Sequence, residues 1–321
     1  MRVLVTGATG FIGSHLIERL SRDCEAEVWA LVRNPRKAAA WPASVHLLRG
    51  DLASIPSLPS DLDTVFHLAG LTKSLKPADY YTVNQRGTAS LFQALQAAGS
   101  QPKVILLSSL AAAGPSPRGG ALEENCRPRP VDSYGKSKLK AEQEALIRKR
   151  RFPVVIIRVG AVFGARDLDF LSYFRLIAKG ILPVFRRVRL YSFCYALDLV
   201  RALTCCASAR LESGEILNIA DPQPYTQEEF GAIAGRIMGL QLRRLPVPIP
   251  AFFLGAVCSE VRSQLKRRPN ILSLDKFKEM RQEGWVADVA KAMRLLSFTT
   301  EYSLEQGLQE TLAWYKNHGW L

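Results

Sequence analysis

The chain begins with a short β-branched run, Val3-Leu4-Val5-Thr6. It stops at Gly7-Ala8-Thr9-Gly10-Phe11-Ile12-Gly13 and passes into an amphipathic stretch over residues 11–22. Glycines spaced Gly-x-x-Gly-x-x-Gly between a strand and a helix leave few backbones open to the chain. Gly7 permits a tight turn, Gly10 lets the backbone approach a bound anion, and Gly13 lets the helix pack closely on the strand. The free N–H groups and partial positive charge of the helix start then face a pyrophosphate. A glycine triplet alone is a common turn. Its place after the first strand and before the first helix makes it a dinucleotide-binding signature.

The alternation continues. Strand-like runs lie at residues 3–6, 26–32, 45–48, 64–68, 104–108 and 154–159, with helical stretches at 11–22, 78–98 and 133–149. Apolar strands separated by amphipathic helices imply an α/β chain with a parallel sheet covered on both faces. Right-handed crossovers make that sheet doubly wound. After about residue 160 the segments shorten, and Pro-rich connections appear at Asp221-Pro222-Gln223-Pro224 and Pro246-Val247-Pro248-Ile249-Pro250. Residues 1–160 are therefore expected to bind the nucleotide. Residues 161–321 are expected mainly to form a smaller substrate-binding lobe, with about 190–220 returning to the first domain. A strand near 216–219 and a closing helix over 304–315 belong to this reading. A length of 321 residues suits one large domain with a smaller lobe.

Net charge is +14, from 43 Lys+Arg against 29 Asp+Glu, so anionic partners have to be considered. The basic residues sit in short clusters: 148–151, Arg186 with Arg187 and Arg189, Arg243 with Arg244, and Lys266 with Arg267 and Arg268. No basic tail and no groove-reading motif organises them, so they read as solvated surface and no nucleic-acid partner is expected. The six cysteines, Cys24, Cys126, Cys194, Cys205, Cys206 and Cys258, form no CxxC pair and have no histidines at ligand spacing. No metal site is expected, and the thiols read as reduced, in a cytoplasmic protein. A strand pattern starting at Arg2 gives no signal peptide. The longest apolar stretch, residues 247–261, is broken by Pro248, Pro250 and Glu260 and is too short to span a bilayer. Residues 250–257, followed by Arg262, Lys266, Arg267 and Arg268, have the composition of a segment resting on an anionic membrane, so peripheral contact is a further expectation.

The end of the second strand, Leu31-Val32-Arg33-Asn34-Pro35-Arg36-Lys37, carries no carboxylate to bind ribose hydroxyls. Arg33, assisted by Arg36 or Lys37, suits a 2′-phosphate, which predicts NADP(H) in preference to NAD(H). After the third strand, Asp51-Leu52 is placed to meet the adenine. Further on, Tyr134-Gly135-Lys136-Ser137-Lys138 puts a Tyr and a Lys on one helix face. A free phenol, with a pKa near ~10, is a poor acid or base at neutral pH. A neighbouring ammonium brings it into range. Leu106-Leu107-Ser108-Ser109 ends a strand at the edge where such sheets bind ligands, and a Ser there can hold a substrate oxygen as charge develops.

With these residues in view, the chain resembles the extended short-chain dehydrogenase/reductase family of NAD-dependent epimerase/dehydratase type. The 3-beta-hydroxysteroid dehydrogenase and dihydroflavonol reductase-like branch is nearest. The likeness rests on the glycine turn, Asp51, Phe66-His67-Leu68-Ala69-Gly70, Asn84, Ser109, Tyr134 and Lys138. It continues through residues 158–164, Ala196-Leu197-Asp198-Leu199 and the ending 307–315. The resemblance implies a Rossmann domain and a catalytic Ser109, Tyr134 and Lys138. It also implies cofactor contacts from Thr9, Phe11, Ile12, Leu52, Leu68, Ala69, Gly70, Asn84, Ser108, Val159 and Val162. Either Ser108 or Ser109 can fill the Ser role; Ser109, five residues before Gly114, has the family's spacing. Val159 replaces the family's usual Pro, Ala196-Leu197-Asp198 stands for the usual Val-Asp-Asp with one acid missing, and residues 191–195 lack the Arg that often binds a sugar-nucleotide diphosphate.

The resemblance further implies hydride transfer between a nicotinamide and a hydroxyl- or carbonyl-bearing carbon of a small-molecule substrate. It also implies a homodimer through the long helices before and after Ser109. Tyr173, Phe174, Phe185, Tyr191, Phe193, Tyr195, Phe252 and Phe253 either line a pocket for a sterol-, terpenoid- or keto-compound-like substrate or form ordinary core. One alternative is a nucleotide-sugar epimerase or dehydratase that retains its cofactor, with Arg186, Arg187 and Arg189 standing in for the missing Arg. The other is a non-catalytic NADP sensor, against which stands the retention of Ser109, Tyr134 and Lys138.

Overall fold

The structure, a computed structural model, describes residues 1–22, 26–266 and 274–321. Cys24, Arg267 and Arg268 lie outside the described residues. The first part runs β1 (Arg2–Thr6), α1 (Phe11–Arg22), β2 (Glu27–Val32), β3 (Val45–Arg49), β4 (Thr64–His67), α2 (Pro77–Tyr80), α3 (Gly87–Ala97), β5 (Lys103–Ser109), α4 (Leu110–Ala113), α5 (Ser133–Leu146) and β6 (Val154–Val159). The second runs β7 (Ala161–Phe163), α6 (Leu171–Ala178), β8 (Ile181–Val184), β9 (Leu190–Tyr191), β10 (Phe193–Tyr195), α7 (Ala196–Ser208), β11 (Glu215–Ile219) and β12 (Tyr225–Thr226). It closes with α8 (Gln227–Ile237), β13 (Arg243–Pro246), α9 (Ile249–Lys266), α10 (Leu274–Met280), α11 (Ala290–Leu296) and α12 (Leu304–Asn317).

A parallel sheet in the order β3-β2-β1-β4-β5-β6-β11 forms the centre, as a doubly wound Rossmann fold requires. Every residue of β4 and β6 is buried, which is why those runs are mostly apolar, with Thr64, His67 and Arg158 as buried polar members. The helices α1 and α7 bury Leu16, Ile17, Leu199 and Leu203 on one face, and α3 and α5 bury Leu91, Phe92 and Ala141 on the other. The strand expected near 216–219 is β11, which pairs with β6 from Glu215↔Val155 to Ile219↔Val159.

The helix expected over 78–98 is divided. Between α2 and α3, residues Tyr81–Arg86 form a π-helical turn. Such a turn inserts an extra residue and re-aims one side chain; here buried Asn84 is held on residue 71. The second half builds its own aromatic core, in which Phe193 and Phe230 stack at 4.3 Å beside Phe163 and Phe174. Phe174 and Tyr195 are therefore core, as the plainer reading of the aromatics held, and Phe253 is exposed. Tyr173, Phe185, Tyr191, Phe193 and Phe252 do reach the cleft.

Candidate active site

A cleft of about 1670 Å³ runs along the C-terminal ends of β1, β4, β5 and β6, where the strand order reverses. Its floor is the glycine turn. Gly7 has φ +71°, and a Cβ there would lie 2.6 Å from the Ala69 nitrogen; one on Gly13 would lie 2.1 Å from the Gly7 oxygen. Gly10 meets only the Gly7 oxygen, at 3.1 Å, and lines the cleft with Gly7, Thr9, Phe11 and Ile12. The first turn of α1 carries no acidic residue to repel a phosphate. This cradle fits a dinucleotide.

At the adenosine end the residues divide. Lys37 and Trp41 line the cleft; Arg33 stands exposed just after β2, outside the lining. Asp51 Oδ1 accepts from the Ala53 and Ser54 nitrogens, both at 2.9 Å, and so holds its own turn. Leu52 is buried against Gly87, and neither Asp51 nor Leu52 is in the cleft wall.

Leu68 and Gly70 line the cleft, while Ala69 and Asn84 support it from behind. Asn84 Oδ1 accepts from the Leu71 nitrogen at 2.7 Å, and its Nδ2 donates to Leu71 O and to Ser137 Oγ. Ala69 N–H donates to Thr6 Oγ1, which contacts His67 Nδ1 at 2.7 Å. His67 Nε2 meets Thr88 Oγ1 at 2.9 Å, and Thr88 donates to Asn84 O at 2.6 Å. Since Thr88 spends its proton on Asn84, the ring must carry its hydrogen on Nε2 and accept from Thr6 at Nδ1. Burial, helped by Lys138, lowers the His67 pKa to about 3, so that single tautomer persists.

Tyr134 and Lys138 sit one turn apart on α5. Asp132 caps this helix, accepting from the Gly135 nitrogen at 2.6 Å. A Cβ at Gly135 would lie 2.2 Å from Ala111 O, so the glycine lets α5 close onto α4. Ser109 ends β5, accepts from the Ala111 nitrogen at 3.1 Å and hydrogen-bonds Tyr134. Lys138 Nζ donates to Leu107 O at 2.6 Å, and burial lowers its pKa to about 8. The Ser109, Tyr134 and Lys138 side chains thus converge on one wall of the cleft.

Ser108, Val159 and Val162 also border the cleft. The Ser108 hydroxyl is committed elsewhere: it donates to Glu142 Oε1 at 2.5 Å, and Glu142 forms a buried bidentate pair with Arg158 at 3.0 and 2.7 Å. Ser108 therefore anchors the sheet end and can offer the cleft only its backbone. Ser109 is the hydroxyl free to face a substrate.

The opposite wall comes from elements the sequence did not tie to the site. α10 brings Asp275, Lys276 and Glu279 to the cleft beside Asp132. Burial and the Glu279 carboxylate raise the Asp132 pKa to about 8. Buried Asp132 Oδ2 has no hydrogen-bond partner among the described residues, and the raised pKa keeps this carboxyl protonated beside Glu279. Lys276 Nζ holds Glu279 at 2.6 Å. Asp132 was missed in the sequence, where an Asp just before the helix carries a capping signal; Glu279 had no local signal.

These features meet on one fold, and the chain matches the NAD dependent epimerase/dehydratase family over residues 3–220. It belongs to that family. It is an NAD(P)-dependent enzyme of the extended short-chain type. The ceramide reductase of Caulobacter vibrioides is 28% identical over 324 residues, covering 99% of this chain and 96% of that protein. The N-acetyl-alpha-D-glucosaminyl-diphospho-ditrans,octacis-undecaprenol 4-epimerase of Escherichia coli O157:H7 is 25% identical, covering 97% and 94%. The solved structure of MoeE5 with UDP-glucuronic acid and NAD superposes with a TM-score of 0.77 at 28% identity, covering 99% of this chain and all of that one. Other relatives are named mostly as sugar-nucleotide epimerases or reductases. The relatives' named activities thus back the nucleotide-sugar alternative more than a sterol-like substrate.

Proposed function

We propose that the enzyme transfers a hydride between NADP(H) and a hydroxyl- or carbonyl-bearing carbon in the polar head of a substrate with a long apolar tail. The carrying observation is the cleft wall beyond Tyr134. Phe170, Tyr173, Tyr191, Phe193 and Trp285 line it, and it runs on to Phe185 and Phe252. Its cations are already matched, Lys73 with Asp169 and Lys276 with Glu279. Burying a diphosphate among paired cations is costly, whereas an acyl chain gains ~25 cal/mol per Å² of apolar surface removed from water. Two relatives carry lipid substrates in their names, a ceramide and an undecaprenol-linked sugar.

In the reductive direction Tyr134 gives its phenolic proton to the carbonyl oxygen, which Ser109 holds. Lys138 keeps Tyr134 placed and favours its anion once the proton has left. The bound nicotinamide supplies the hydride; hydride and proton together turn C=O into CH–OH. The wall shields this exchange from water.

The cofactor preference rests on Arg33 and the absence of a carboxylate at the end of β2. Arg33→Ala is expected to weaken NADPH binding at least about tenfold, with NADH unchanged, in a fluorescence titration, because a charge-assisted pair to the 2′-phosphate is lost. A homodimer through α3 and α5 belongs to the same proposal, and sedimentation velocity reads it.

A second reading, a nucleotide-sugar 4-epimerase with a retained NAD, is favoured by the relatives' names. Its stand-in cations, Arg186, Arg187 and Arg189, lie outside the cleft lining. One experiment separates the two. Purified enzyme is denatured and assayed for released cofactor, and turnover is compared between long-chain ketones with NADPH and UDP-sugars without added cofactor. Stoichiometric NADPH consumption with a long-chain ketone supports the first reading; redox-neutral UDP-sugar interconversion overturns it.

A further inference from the structure

The roof of the cleft is α9, which has two different faces. Phe252, Glu260 and Ser263 look into the cleft. Pro250, Leu254, Cys258 and Leu265 lie on the opposite side, spaced four, four and seven residues apart, which is one helix face. That outer face is apolar and open to water: Leu254 is 64% exposed and Leu265 81%. An exposed leucine alone means little, but a contiguous stripe on one helix marks an interaction surface.

The stripe adjoins two further elements. Phe185 and Phe252 meet ring to ring at 5.7 Å and both line the cleft, so the loop after β8 borders the start of α9. That loop exposes Arg186, Arg187 and Val188, the last 78% exposed. Strand β13, paired with β8, exposes Arg243, Arg244 and Leu245. The far end of α9 exposes Arg262 and Lys266. Of the acids nearby, Glu228 is paired with Arg244 and Glu260 is turned to the cleft. An apolar stripe framed by cations is complementary to anionic lipid headgroups over acyl chains, and the chain's net charge of +14 has the matching sign.

We infer that α9, the loop after β8 and β13 form a docking surface for an anionic phospholipid bilayer, placed so that the roof of the cleft rests on the membrane. Among the described residues no helix is long and apolar enough to cross it, so contact is peripheral. The inference deepens the lipid-substrate reading: a substrate residing in the bilayer would enter beside Phe185 and Phe252.

The test is co-sedimentation with vesicles of phosphatidylcholine, with and without phosphatidylglycerol, at low and physiological salt. The expected result is binding to the anionic vesicles, weakened by salt and reduced at least tenfold in the double variant Leu254→Asp, Leu265→Asp. Arg186→Glu with Arg187→Glu is expected to weaken binding and flatten its salt dependence. NADPH titration of each variant shows that the fold is intact, since none of these side chains lines the cleft. Absence of vesicle binding by wild-type protein at low salt would overturn the inference. So would equal binding by the leucine variant, or a leucine variant that changes only the oligomeric state. Vesicle binding together with turnover of UDP-sugars alone would leave the docking surface standing and remove the substrate reading.

Discussion

Tyr134 keeps its proton because burial raises its pKa, against the lowering effect of the Ser109 hydrogen bond, and because Glu279 and Asp169 add negative charge around it. A phenol held protonated is prepared to donate, which suits carbonyl reduction. Tyr134→Phe is expected to lower kcat by ~10²–10⁴-fold, the usual contribution of a positioned acid, with NADPH affinity nearly unchanged. Steady-state kinetics beside a binding titration checks both halves. Much of this residue set was legible from sequence. The glycine spacing, the Tyr-Lys pair and the Ser at a strand end are local patterns whose chemistry follows from position. Ser108 and Ser109 differ only in which way β5 points them, and the buried Glu142–Arg158 pair that claims Ser108 is contributed by α5 and β6. No run of adjacent letters carries that information.

At the scale of elements, α10 lies over the site with Glu279 beside an Asp132 that stays protonated, so its seat there depends on that proton. In the unfolded chain Asp132 releases its proton near pH ~4; in the folded chain it keeps it to about pH 8. The fold binds the proton more tightly, so the stabilisation is complete below the unfolded value and is lost as pH rises through about 8. Two facing carboxylates then repel, and α10 loosens. The protection factor of residues 274–280, corrected for base-catalysed intrinsic exchange, is expected to fall between pH 7 and 9 in wild-type protein and to stay constant in Glu279→Gln, whose amide can donate to Asp132 at any pH. The sequence could not disclose this latch, because its halves come from residues 132 and 279, joined only by tertiary packing. The π turn before α3 was hidden for a related reason: a helical pattern fixes which face is apolar and does not announce one inserted residue.

Across the whole molecule, the doubly wound sheet and its closing strand followed from alternation of apolar runs, whereas the rest of the second half, built from short strands and an aromatic core, had no period to read. A buried polar network joins β6 and β11, neighbours in the sheet that are far apart in the sequence. Arg158 pairs with Glu142 and donates to Glu124 O at 3.3 Å; Glu124 accepts from the Asn218 nitrogen at 2.9 Å. Glu142→Ala would leave a buried guanidinium unpaired and is expected to cost about 3–5 kcal/mol of stability. The urea midpoint would read that loss, with a smaller one for the joint replacement of Glu142 and Arg158 by Gln and Met.

One feature of this architecture bears on how the protein is made. Strand β6 ends at Val159, and its sheet neighbour β11 begins only at Glu215. During synthesis the outer edge of β6 therefore waits with open N–H and C=O groups and apolar side chains while α6, α7 and the strands between them leave the ribosome. A nascent chain stalled at residue 165 is expected to be captured by chaperones or to aggregate. One extended past residue 220 should resist protease in its first half.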